Sequence, residues 1–241
     1  MPLLLHLALP LGVLTAFLVL VEANGWDVAL SDKYFDAATG TFPLRNDALF
    51  NGLLHDAANW VPRGTALAVL LLLAASFFRP KLAAWRRVLV YALLSMGISL
   101  GGVALLKQHT TPACPWSVER YGGTAPHIAM ADLRFVSKAE AGRCWPSGHA
   151  AGGFSLLAFY YVVRVRRLRV APAVLLLALA FGCVLSWSQI ARGAHFLSHN
   201  LCSLAICWTT ATLLAWSLEI RPEREETPLE MSSGAYERDK V

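Results

Sequence analysis

What most constrains this chain is a series of apolar runs, each near the length a helix needs to cross a bilayer, separated by short clusters of Arg and Lys. Residues 3–22 read LLLHLALPLGVLTAFLVLVE, and further runs lie at about 64–78, 88–106, 149–163, 171–190 and 196–218. In hydrocarbon the backbone has to satisfy its own hydrogen bonds, so runs of this kind become helices. The expected fold class is therefore all-α, a polytopic bundle of six transmembrane helices. The first run has no Lys or Arg ahead of it and no clear A-x-A site after it, so it reads as a retained helix rather than a signal peptide. The second and fourth runs are short, but Arg or Trp residues flank each and can anchor it at the interface.

Of the 241 residues, 56% are hydrophobic and 15% charged. That is too apolar for an ordinary soluble domain and too short for several membrane domains, so residues 1–218 are expected to form one membrane domain. The net charge of +5 does not imply a nucleic-acid partner, because the basic residues sit between apolar runs and no nucleic-acid motif is present. Arg79, Lys81, Arg86 and Arg87 separate the second and third runs; Arg164, Arg166, Arg167 and Arg169 separate the fourth and fifth. Both loops are short and free of acidic residues, which the positive-inside rule places in the cytoplasm. Six spans then bring both termini to that side. The tail, 219–241, holds seven acidic residues and little apolar character, and is expected to be mobile.

Three segments fall on the opposite, outer side. Residues 23–62 are long and mixed; within them Leu44, Ala48, Leu49, Leu53 and Leu54 stand near helical spacing, so an amphipathic helix on the membrane surface is expected there. Residues 107–148 form the second segment, and the third is the tight connection around 191–194. Trp26, Trp60, Trp116, Trp145 and Trp216 read mostly as interface anchors.

The outer side gathers the chemistry. Lys107-Gln-His-Thr-Thr-Pro-Ala-Cys114-Pro115-Trp116 ends the third run, Cys144-Trp-Pro-Ser147-Gly148-His149 begins the fourth, and Ser188-Gln-Ile-Ala-Arg192-Gly-Ala-His195-Phe-Leu-Ser-His199 joins the fifth to the sixth. If the last helix begins near Arg192, then Arg192, His195 and His199 share one face. Ionisable groups at membrane depth are costly and point to function. Pro-Ser-Gly-His offers backbone N–H groups at a helix start, a natural anion cradle. Cations, backbone donors and two histidines suit phosphate-ester chemistry: one imidazole attacks phosphorus and the other protonates the leaving oxygen. Taken singly, the histidines could be packing residues and the tetrapeptide a plain turn. Their joint occurrence at one face argues against both.

These clusters resemble the motifs of the type-2 phosphatidic acid phosphatase superfamily, whose pattern is K-x6-RP, then PSGH, then S-R-x5-H-x3-D. The chain supplies Lys107 with Cys114-Pro115, an intact Pro146-Ser147-Gly148-His149, and Ser188-Gln189-x5-His195-x3-His199. The resemblance implies a histidine nucleophile, His195, that forms a phosphohistidine. It implies His149 as general acid, and Lys107, Ser147 and the Gly148 N–H as holders of the phosphoryl oxygens. It implies no metal or other cofactor, and a phosphorylated lipid as substrate, with undecaprenyl diphosphate, phosphatidic acid, phosphatidylglycerol phosphate and lipid A phosphates as candidates. The expected setting is a bacterial cytoplasmic membrane with the site facing outward. A phosphotransferase using the same intermediate, or a non-catalytic lipid-binding or transport relative, are the competing functions.

Three positions depart from the pattern. Cys114 and Gln189 stand where the family has Arg, and His199 stands where an Asp orients the nucleophile. Arg192 is the preferred substitute cation, with Arg143 and Arg120 behind it, and His199 is the expected orienting partner of His195. Cys114 and Cys144 both lie on the outer side, where an oxidising compartment permits a disulfide between them; the alternative is two free or packing thiols. Cys183, Cys202 and Cys207 sit in apolar runs and read as packing residues. His109 and His127 read as exposed loop residues, His6 lies near the cytoplasmic end of the first run, and His55 fits the polar side of the surface helix.

Overall fold

The computed structural model describes residues 3–221. The tail beyond 221, expected to be mobile, lies outside the described residues. The described chain is helical, with only isolated bridges such as Thr110 to Phe135 and Val118 to Ala125 in place of strands. Its α-helices are α1 (Leu9–Ala23), α2 (Trp26–Asp32), α3 (Trp60–Ser76), α4 (Pro80–Ala83), α5 (Arg86–Lys107), α6 (Gly148–Phe154), α7 (Ala158–Arg164), α8 (Ala171–Ala191) and α9 (Leu197–Ser217). A π-wound turn, Leu4–Ala8, leads into α1, and a π-helix, Ala48–Ala57, leads into α3.

Four helical stretches are long and apolar enough to cross a membrane: Leu4–Ala23, Ala48–Ser76, Arg86–Lys107 and Ala171–Ala191. The first two bury only 6% and 11% of their apolar windows, against 39% for the other two. Their exposed Leu, Val and Phe side chains, among them Val13, Phe17, Leu67 and Leu71, form an apolar rim suited to acyl chains. The remaining two expected spans differ for physical reasons. The 3-10 turn Ser155–Leu157 interrupts the fourth between α6 and α7. The sixth, α9, is long but carries Ser198, His199, Asn200, Ser203 and Thr212, all buried against other helices.

α9 and the α6–α7 pair form the centre. Tyr91 on α5 donates to the Ala211 carbonyl at 3.1 Å, and Tyr161 on α7 shares a hydrogen bond with Thr212 at 2.8 Å. α6 lies against α8 with almost no side chain between them: a Cβ on Gly153 would stand 2.7 Å from the Gly182 Cα. Small residues at helix crossings permit such approach where no hydrophobic effect drives association. The two basic loops meet at one end, where Arg166 lies over Trp85 with 4.8 Å to the ring centroid. Arg86 also donates to the Ser76 carbonyl at 2.6 Å, satisfying the end of α3.

The amphipathic helix expected within 23–62 takes a different form. Asp47 caps the π-helix by accepting from the N–H groups of Leu49 and Phe50 at 2.9 and 3.1 Å. The chain then runs on through a turn at 58–59 into α3, so the segment is the leading part of a membrane-crossing stretch as well as a cover for the site below it. Upstream, Phe42 packs with Phe35 and Tyr121 at centroid distances of 5.3 and 5.2 Å, fastening this segment to the outer loops.

Candidate active site

The three motif clusters are tied to one another. A disulfide joins Cys114 to Cys144 with their Cα atoms 5.1 Å apart, linking the first cluster to the second. The Trp116 N–H donates to the Gly193 carbonyl at 3.0 Å, linking the first to the third. The Ser147 N–H donates to the His199 carbonyl at 3.3 Å, and the Ser203 hydroxyl donates to the Ser147 and His199 carbonyls at 2.9 and 3.0 Å. The motifs thus share one backbone framework.

Ser147 is the N-cap of α6, its hydroxyl accepting from the Ala150 N–H at 3.4 Å. Gly148 and His149 follow in the first turn, where N–H groups have no carbonyl one turn back. His149 lies within electrostatic reach of Lys107, Arg192 and Arg63, and its buried Nε2 has no hydrogen-bond partner.

Arg192 and His195 stand elsewhere than the helical spacing suggested. α8 runs to Ala191, Arg192 closes it, and α9 begins only at Leu197, so Arg192 and His195 lie in a loop and only His199 is on α9. Gly193 makes the turn at φ 67°, and a Cβ there would stand 2.6 Å from Phe42 Cε2 and closer still to Cδ2 and Cγ. Glycine is required on both counts. The loop is short because the Ala194 and His195 N–H groups both return to the Gln189 carbonyl, at 2.8 and 3.3 Å.

Gln189, where the family pattern has Arg, lies next to Arg192: its Oε1 accepts from Arg192 Nη1 at 3.4 Å. Arg192 also donates to Asn51 Oδ1 at 2.7 Å and to the Arg45 carbonyl at 3.4 Å. The residue is 6% exposed. Burial lowers its pKa, Asp56 opposes that, and an arginine remains charged in any case. The other two candidate cations stand apart from this arrangement. Arg120 is engaged by Asp32 through Nε and Nη2 at 2.9 and 2.7 Å, on the surface. Arg143 shares a cavity of about 470 Å³ with Ala104, Lys107, Gln108 and Lys138.

His195 is 3% exposed and His199 2%. Their rings meet edge to face with centroids 5.8 Å apart, and His199 Nδ1 has no hydrogen-bond partner. Burial, with Lys107, His199 and His149 nearby, holds the His195 imidazole well below its usual pKa, so it is neutral at pH 7. Its Nδ1 lies 3.4 Å from Cys144 Sγ. Cys144 Sγ and the ring nitrogens of His195 and His199 lie within 4.8 Å of one another. A disulfide sulfur is not a thiolate, however, so with the bridge closed this trio is not a thiolate metal set.

Four residues of the site carried no sequence signal. His55 stacks on His149 with centroids 4.0 Å apart and planes at 26°, and its Nδ1 lies 2.6 Å from Asp56 Oδ1. Asn51 holds Arg192. Arg63, at the start of α3, adds charge near His149. Asp27, on α2, accepts from the Ser198 N–H at 2.8 Å and from the Ser198 hydroxyl, supplying a cap that Phe196 cannot give α9. Burial pushes the Asp27 carboxyl up, and its bonds to Ser198 oppose that. His127 is exposed, as expected, and its ring also meets that of Phe196 edge to face with centroids 4.9 Å apart.

Paired histidines among cations, at one end of an all-helical bundle with an apolar rim, form an arrangement that suits phosphate-ester chemistry in a membrane-type protein. The family model of the PAP2 superfamily matches residues 88–222, more than half of the chain, and the chain belongs to that superfamily. Its members are phosphatases, which supports phosphoric ester hydrolysis here. No curated protein and no solved structure matches the chain. The matched stretch contains all three motif clusters but not Asn51, His55 or Arg63.

Proposed function

We propose that the protein hydrolyses a lipid phosphate or diphosphate through a phosphohistidine, in a bundle of six spans with the site at the outer face of a bacterial cytoplasmic membrane. One observation carries this reading: the Cys114–Cys144 bridge and the backbone bonds from Trp116 to Gly193 and from Ser147 to His199 hold the three motif clusters in one framework, with Lys107 and His149 close enough to act on His195. The phosphoryl oxygens are held by Lys107, Arg192 and the Gly148 N–H, with the Ser147 hydroxyl free to donate its proton. His195 Nε2 attacks phosphorus, the bond to the leaving oxygen breaks, and His149, entering as the imidazolium that the charge of the bound phosphate favours, gives its proton to that oxygen. A water then gives a proton to His149 and its oxygen to phosphorus, releasing phosphate and restoring both histidines. The cavity lined by Lys107, Lys138 and Arg143 suits an anionic headgroup, and the apolar rim suits its acyl or prenyl chains. The basic loops gathered at the other end support the orientation.

The test is phosphate release from a panel of lipid phosphates by purified protein. His195→Ala is expected to abolish release and phosphoenzyme formation, and His149→Ala to lower kcat by about 10²–10⁴-fold. Unchanged turnover in both variants would remove this mechanism. Transfer of phosphate to a second lipid with none released would make the protein a phosphotransferase.

A further inference from the structure

A histidine that attacks through Nε2 must carry its proton on Nδ1, and a buried Nδ1–H needs an acceptor to fix the ring. The Asp27 carboxylate is taken by Ser198, and Asp56 sits with His55. No carboxylate is hydrogen-bonded to His195 among the described residues. His199 meets the His195 ring edge to face at 5.8 Å, with its own Nδ1 unpartnered. What does face His195 Nδ1 is Cys144 Sγ, at 3.4 Å. That sulfur is fully buried, bonded to Cys114, and pressed to 3.0 Å from the Ala194 carbonyl beside the histidine.

We propose that Cys144 is the positioning residue of the nucleophile: its disulfide sulfur accepts the Nδ1–H of His195 and leaves the Nε2 lone pair aimed at the phosphate. This rests on the reading of His195 as nucleophile. A bridged sulfur has no proton, so it is an acceptor only and fixes one tautomer. A free thiol at the same place can donate to Nδ1, which would put the imidazole proton on Nε2 and remove the attacking lone pair. A neutral acceptor also orients the ring without adding charge, so the imidazole stays unprotonated among Lys107, His149 and His199; a carboxylate would hold it as an imidazolium to higher pH. The Cys144 backbone acts on the same two rings, and its contribution survives any change of side chain. A side-chain substitution therefore removes the sulfur, and the bridge with it, while leaving the backbone contribution in place.

The experiment compares wild type, Cys144→Ala and the double variant Cys144→Ala/His199→Asp, assayed on the lipid phosphate that wild type hydrolyses best, with thermal stability measured alongside. Cys144→Ala is expected to lower kcat by about ten- to a hundredfold, the range seen on loss of an orienting partner, with KM little changed. His199→Asp in that background is expected to recover kcat and to move the acid limb of the pH profile upward, since a carboxylate then holds Nδ1–H. A bridge that only braced the loops would lower thermal stability, and His199→Asp would restore nothing. Should Cys144→Ala not fold, wild type reduced in membranes gives the same reading: kcat falls, nitrogen-15 spectra show His195 losing its Nδ1–H form, and reoxidation reverses both. Wild-type kcat in folded Cys144→Ala or in fully reduced protein, or no recovery with His199→Asp, overturns the proposal. Activity surviving in His195→Ala overturns the nucleophile reading, and this proposal with it. An inactive His195→Ala beside a fully active Cys144→Ala overturns the positioning role alone.

Discussion

Gly193→Ala isolates the turn that delivers His195. The residue sits at φ 67°, where an L side chain costs about 1–2 kcal/mol. The added methyl would also lie 2.6 Å from Phe42 Cε2 and nearer to two further ring atoms. Phe42 has little room to yield: it is 4% exposed and packed against Phe35 and Tyr121. Overpacking of that kind costs about 1–3 kcal/mol, so the expected total is about 2–5 kcal/mol. At a shift of about 2–4 °C per kcal/mol for a domain of this size, the melting temperature in detergent should fall by about 4–20 °C. Turnover should fall further than stability, because His195 lies two residues on and its N–H is anchored to Gln189. The clash and the backbone strain separate in a double-mutant cycle with Phe42→Leu. That partner should relieve the steric part and leave the φ strain, giving non-additivity of about 1 kcal/mol or more. Wild-type melting and wild-type kcat in Gly193→Ala would refute the argument, as would strict additivity with Phe42→Leu.

Arg192→Ala should lower kcat/KM by about 10²–10³-fold, the effect of losing one preorganised donor to a developing oxyanion, measured by phosphate release; a near-normal enzyme would mean that another cation carries the phosphate. Burial and neighbouring charge hold the His195 imidazole well below the ordinary histidine value of 6.5. Its acid limb in a pH–rate profile should therefore fall below that value, the nucleophile staying neutral through it. The linked stability has the same sign. Above the ordinary value neither state protonates this residue; below it the unfolded chain binds a proton that folded His195 refuses, so stability declines with acid. An acid limb at or above the ordinary value, with the His195 ring seen by nitrogen-15 spectra to take up its proton there, would refute this. Arg120→Ala breaks a bidentate but exposed pair with Asp32 and should leave the melting temperature and kcat close to wild type.

Features that depend on local pattern could be read along the chain. Apolar length marked four helical stretches fit to cross a membrane, Arg clusters marked one end, and Pro-Ser-Gly-His marked a helix start, because each is a property of residues close together in the sequence. The cysteine pair was readable to the extent that each cysteine stands beside a motif cluster at the same end of the apolar runs. The helical period misplaced Arg192 and His195, since a glycine at positive φ ends α8 and holds both residues in a loop. Three-dimensional packing alone set Asn51 on Arg192, Asp27 on the start of α9, and the His55 ring on His149. Those contacts join segments that no periodicity relates, the first two spanning 141 and 171 residues of chain. They form because helix packing brings the first outer segment over the ends of α8 and α9. The same packing seats a disulfide sulfur 3.4 Å from the Nδ1 of His195, so the bridge meets that ring as well as tying two loops together.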